Sequence, residues 1–127
     1  FTITNFPYIV EHANLNIKYY SRTKRVTFMA KLSFSEQKKL EESLKYIPLP
    51  KMCNTDDNLW IKSYLKRLPE RYRQEVANLY SIIFLRKLHD RNLHEMKRIS
   101  MARRTANVML YNIVDLFEKR NKNDNDC

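Results

Sequence analysis

Apolar residues recur three and four positions apart through most of this chain and alternate with polar ones only between Ile17 and Met29. The first spacing belongs to helices and the second to strands. Phe6, Ile9, Val10 and Ala13 give residues 5–14 one apolar face, with Asn5 as N-cap and Pro7 in the first turn, which predicts a short opening helix. Ile17 and Tyr19, then Val26 and Phe28, alternate on either side of the polar run 21–24. That pattern predicts a β-hairpin over residues 15–31 with a basic tip, although no Asn-Gly or Asp-Gly pair marks its turn.

Beyond the hairpin the helical period takes over. Ser33 or Ser35 caps a helix that has Glu36 in its first turn and Leu40, Leu44 and Ile47 on one face, and Pro48 and Pro50 end it. Residues 48–57 form a connecting loop, and Thr55, Asp56 and Asp57 at its end open a helix carrying Leu59, Trp60, Tyr64, Leu65 and Leu68. Acids there suit the positive end of a helix dipole. Pro69 starts the next helix at a favoured first position. The segment 79–85 is apolar nearly all round, the mark of a central, buried helix. Asn92 and Glu95 are spaced as a capping pair for a last helix. In it Ile99, Ala102, Ala106, Met109, Ile113 and Leu116 form one stripe, while Lys97, Ser100, Arg104 and Asn107 face away. The polar run 121–127 reads as a disordered tail. The expected fold class is mostly α: a single domain over residues 1–120, a compact bundle of about five helices with one small β-hairpin near the N-terminus.

Composition changes this picture in two places. The chain of 127 residues has no glycine at all, where average usage would supply roughly nine. Glycine-rich phosphate loops, the dinucleotide fingerprint and the nucleophile elbow need a residue without a Cβ at a sharp turn, so those chemistries are excluded. Lysine and arginine number 24 against 14 acids, a net charge of +10. A field of that sign attracts polyanions, nucleic acid first, then anionic membrane surfaces and acidic proteins. Cys53 and Cys127 do not make a disulfide framework, which fits a reducing, cytoplasmic or otherwise intracellular setting. No apolar run approaches the ~20 residues needed to span a bilayer, and none reads as a signal peptide.

The basic residues are clustered. Lys18, Arg22, Lys24, Arg25 and Lys31 share the hairpin region with Tyr19, Tyr20 and Phe28 and with no acid. Arg67, Arg71 and Arg73 flank the start of the helix that follows Pro69, Arg86, Lys87 and Arg91 its end, and Lys97, Arg98, Arg103 and Arg104 lie in the first half of the last helix. Lysine and arginine neutralise phosphates and release counterions, and exposed aromatics stack on unpaired bases. The plainer account, a solvated helical surface, would need balancing acids that the hairpin lacks. Tyr19 and Phe28 suit the inward face, which leaves Tyr20 for stacking. The expected nucleic-acid contacts are therefore Lys18, Tyr20, Arg22, Lys24, Arg25, Lys97, Arg103 and Arg104. His12, His89, His94 and Cys53 lack the spacing of a metal set, and no cofactor is expected. Glu41–Glu42 and Asp56–Asp57 are sequence neighbours that a helix points in different directions, so they read as solvated faces and caps, and no catalytic constellation is expected.

The segment NFPYIVEHANLNIKYYSRTKRVTF, residues 5–28, resembles a part of phage and mobile-element replication proteins of the virulence-associated E and primase–helicase type. The resemblance covers a short helix, a strand, a basic turn and a second strand. It implies a role in DNA replication, as an accessory domain beside a motor or primase, while the phosphate-binding motor motif of those proteins is absent. The expected partner is DNA or RNA, with a protein in a replication complex as a further one. The rival expectation is a basic interaction module or inhibitor docking on an acidic face of a replication or defence protein. An exposed apolar patch among Trp60, Tyr64 and Met101 would favour it.

Overall fold

The computed structural model describes residues 32–125. The helix expected over 5–14 and the hairpin expected over 15–31 lie outside the described residues, and with them Lys18, Tyr20, Arg22, Lys24 and Arg25. Within them the chain is mostly helical, with four α-helices and no strand.

Helix α1 spans Phe34–Ser43. Ser33 caps it: its Oγ accepts from the Glu36 backbone N–H at 3.2 Å and donates to Glu36 Oε1 at 3.1 Å, so one hydroxyl and the first-turn acid fix the start together. The helix stops short of Ile47. A residue before proline is pushed out of the α region, and residues 44–47 turn instead, which places Leu44 and Ile47 in the core while α1 itself buries nothing fully. Pro50 is buried, and the Met52 N–H donates to Ser81 Oγ at 3.2 Å, which pins the connecting loop to the helix bearing Ser81.

A 3-10 turn, Thr55–Asp57, capped by Asn54, leads into α2, Asn58–Lys66. Trp60, Ile61 and Leu65 bury one face of α2. The carbonyls at and just past its end accept from an arginine of the next helix: Arg73 donates to Leu65, Lys66 and Leu68 at 2.9–3.1 Å. Helix α3, Glu70–Leu88, has Pro69 at its N-cap, one residue earlier than the sequence suggests. Tyr72, Val76, Tyr80 and Phe84 form its buried stripe at four-residue spacing. The apolar run 79–85 is thus not buried all round: Ile82 is 48% exposed, and Leu79, Ile83 and Leu85 are half-buried.

The central element is α4, Glu95–Asn125, which is long enough to pack against both α3 and α2. Ala102, Ala106, Met109 and Ile113 are buried as expected, and Leu110, Val114 and Phe117 continue the stripe. The expected ends of the stripe differ: Ile99 is 49% exposed and Leu116 only half-buried, because the helical period rotates the apolar face as it proceeds. Asn92 does not cap this helix, which begins at Glu95, two residues too far on, and its N–H is held by Asp90 Oδ1 at 2.9 Å. His94 does, its Nδ1 accepting from the Met96 N–H at 3.2 Å. Towards the C-terminus the helical backbone includes residues 121–125 of the polar run.

Candidate nucleic-acid interface

The cations of the described residues divide into those already engaged by the fold and those it leaves free. The best-engaged one sits at Asp57, a carboxylate that is 0% exposed. Asp57 ends the 3-10 turn but makes no cap hydrogen bond to α2. Its carboxylate turns to α4, where Arg103 grips it with two parallel bonds, Nη2 to Oδ1 at 2.9 Å and Nε to Oδ2 at 3.0 Å. Asn107, one turn further on, donates from Nδ2 to the same Oδ2 at 3.3 Å, and the Tyr80 hydroxyl of α3 donates to Asn107 Oδ1. One buried chain of polar groups therefore joins the loop, α3 and α4, and every member that burial would penalise is satisfied. The expectations for Asp57 as a solvated acid and for Asn107 on the outer face are corrected by this network. Hydrogen bonding to Asp57 pushes the Arg103 pKa further above its ordinary value, against the opposing pull of burial.

Other basic residues are engaged in the same internal way. Arg67 lies over the Tyr64 ring at 4.7 Å and forms a two-pronged pair with Glu118, which raises its pKa. Arg73 closes the end of α2, and Arg98 donates to the Leu93 carbonyl at 3.2 Å. Beside this region, burial first and the Asp57 charge second push the Cys53 thiol pKa up. Among the described residues no group of His, Cys, Asp and Glu gathers in a way that could hold a metal ion.

Between α3 and α4 the arrangement reverses. Ile83, Arg86 and Lys87 of α3 and Met101, Arg104, Thr105 and Val108 of α4 line an open cleft of about 480 Å³. Such a volume falls in the range of small-molecule sites. Its floor is apolar and its rim carries three cations with no acid. Lys97 stands one turn before Met101, on the same side of α4 as Arg104, and a fourth cation thereby extends the row. The side chain of none of the four makes an ion pair or hydrogen bond among the described residues. Of the three site residues expected on α4, Lys97 and Arg104 fall together here, while Arg103, their neighbour in sequence, points to Asp57. Arg86 and Lys87 are the residues that sequence reasoning grouped as basic without assigning them to the site. No spacing within either helix links them to Lys97 and Arg104; they meet only where α3 and α4 lie side by side.

The apolar patch that would favour a protein partner does not form at Trp60 and Tyr64: Trp60 is buried and stacks on Tyr64 at 4.5 Å, and only Met101 reaches the cleft. No helix among the described residues is long and apolar enough to cross a membrane. Comparisons with family models, with curated proteins and with solved structures find no match.

Proposed function

We propose that this domain binds nucleic acid without catalysing a reaction, and that Arg86, Lys87, Lys97 and Arg104 around the α3/α4 cleft contact its phosphates. The observation that carries this reading is the unpaired state of those four cations, in a fold that pairs Arg67, Arg73 and Arg103 internally. Free arginines and lysines on one face are what phosphate neutralisation requires. Arg103 is a supporting residue in this scheme, holding the first half of α4 against the Asp57 loop so that its free neighbours keep their places. Lys18, Tyr20, Arg22, Lys24 and Arg25 would add a second set of contacts. Through the resemblance of residues 5–28, the setting is DNA replication or its control in a phage or mobile element, inside the host cell.

The test is fluorescence anisotropy with labelled single-stranded and duplex DNA, titrated over salt. Binding at micromolar concentration or tighter, with affinity falling steeply as salt rises, is the expected result. A Lys24→Ala/Arg25→Ala variant should weaken binding on every sequence and flatten the salt dependence. Absence of binding at low salt would remove the reading. A second reading, docking on an acidic protein surface, is favoured by the apolar floor under the same cations.

A further inference from the structure

The floor of the α3/α4 cleft has no part in gripping phosphate. Ile83, Met101 and Val108 offer an anion nothing, yet they lie directly inside the ring of Arg86, Lys87 and Arg104. A duplex laid across the cations would leave this space empty, because its bases stay stacked within it. A ligand that fills both parts is anionic at its edge and apolar in its body.

We infer that the cleft is a pocket for an unpaired nucleobase, so that the domain selects single-stranded over duplex nucleic acid. This rests on the nucleic-acid reading above. The thioether of Met101, half-buried in that floor, is soft and polarisable and makes favourable contacts with aromatic rings. The guanidinium planes of Arg86 and Arg104 can lie against a base as well as grip the adjoining phosphates. Thr105 supplies the one neutral polar side chain of the lining, and its hydroxyl has no partner among the described residues. A hydroxyl that can donate or accept suits the polar edge of any base, and this predicts weak sequence preference. A cleft of about 480 Å³ accommodates one base with its sugar. Its lining spans residues 83–87 of α3 and 101–108 of α4, at most a little over two turns of a helix, which is short for the row of anchors by which an amphipathic peptide helix binds in a groove.

The experiment compares three labelled ligands on the full chain at fixed salt: an oligothymidylate, an abasic strand of the same length, and a blunt duplex of that length. The oligothymidylate should bind at least about fivefold tighter than the abasic strand, the lower end of what a stacked base contributes, and tighter than the duplex. Met101→Gln should erase that difference while leaving the abasic strand bound as in the parent protein. Equal affinity for oligothymidylate and abasic strand would overturn the pocket and leave the nucleic-acid reading standing, as would a preference for duplex. A base preference that survives in Met101→Gln would also overturn it, by placing the base elsewhere. Failure of all three ligands to bind at low salt would end both readings, and capture of an acidic amphipathic peptide at the cleft would then assign it to a protein partner.

Discussion

Arg103 and Arg104 are adjacent in sequence and opposite in use. Arg103 faces a buried carboxylate and is held by two hydrogen bonds, whereas Arg104 stands on the rim of a cleft with no carboxylate paired to it. One helical step rotates a side chain by about 100°, so a basic doublet on a helix necessarily splits between two environments. The two regions differ in the same way at every level. Around Asp57 the polar groups are buried, mutually satisfied and directed at the fold. Around Met101 none of the four cations is paired by another described side chain, and Arg86, Lys97 and Arg104 are exposed while Lys87 is half-buried. A surplus of positive charge therefore says little about function until the cations already engaged by internal carboxylates and helix ends have been set aside.

The sharpest way to break this contrast is at Arg103. Its removal in Arg103→Ala leaves Asp57 buried without its counter-charge, a loss of about 3–5 kcal/mol, and denaturant unfolding should show a correspondingly lower midpoint. Arg103→Lys should be nearly as damaging, since an ammonium cannot reproduce the two-pronged geometry, while Arg104→Lys should leave stability unchanged. A smaller effect is expected from Tyr80→Phe, which deprives buried Asn107 of its donor. The expected loss is about 1–3 kcal/mol in the same unfolding assay, with DNA binding unchanged once the variant is folded. Smaller still is Arg67→Ala: its pair with Glu118 is about half exposed on both sides, and exposed pairs contribute at most about 1 kcal/mol. Chemical labelling sharpens the contrast from another side. Burial and the Asp57 charge raise the Cys53 pKa, which lowers its thiolate fraction near neutral pH. Alkylation followed by peptide mass mapping should find Cys53 slower than a free thiol at pH 8 and accelerating as pH rises further. Replacing Asp57 by Asn in a folded variant should restore part of the rate.

Much of the helical framework was legible from spacing alone, because α2, α3 and α4 each bury one stripe and local signals mark where helices start. Ser33 with Glu36 and the acids of 55–57 are such signals, and the boundaries they imply fall within a few residues of the observed ones. What spacing could not show is which helix lies in the middle. The run 79–85 is strongly apolar, yet α4 carries the longest buried stripe, Ala102 to Phe117, a property of tertiary assembly. The Asp57 network was illegible for a related reason. Its members lie 46 and 50 residues apart, and neither Asp57 nor Asn107 differs locally from a residue placed at a cap or on a wet face. The cleft was half legible: Lys97 and Arg104 follow from basic clustering, whereas Arg86, Lys87 and Met101 join them only when α3 and α4 lie side by side.

The most direct test of the division between the two arginines is the Arg104→Ala variant, measured for both denaturant unfolding and DNA affinity over a series of salt concentrations. Stability should stay within about 0.5 kcal/mol of the parent, as for a surface substitution that breaks no internal interaction. Affinity should fall on all sequences, and the slope of log affinity against log salt should become shallower by about one unit, as follows when one phosphate is no longer neutralised by the protein. An unchanged slope and affinity in a folded variant would contradict the account, because Arg104 would then be as silent at the surface as any solvated charge.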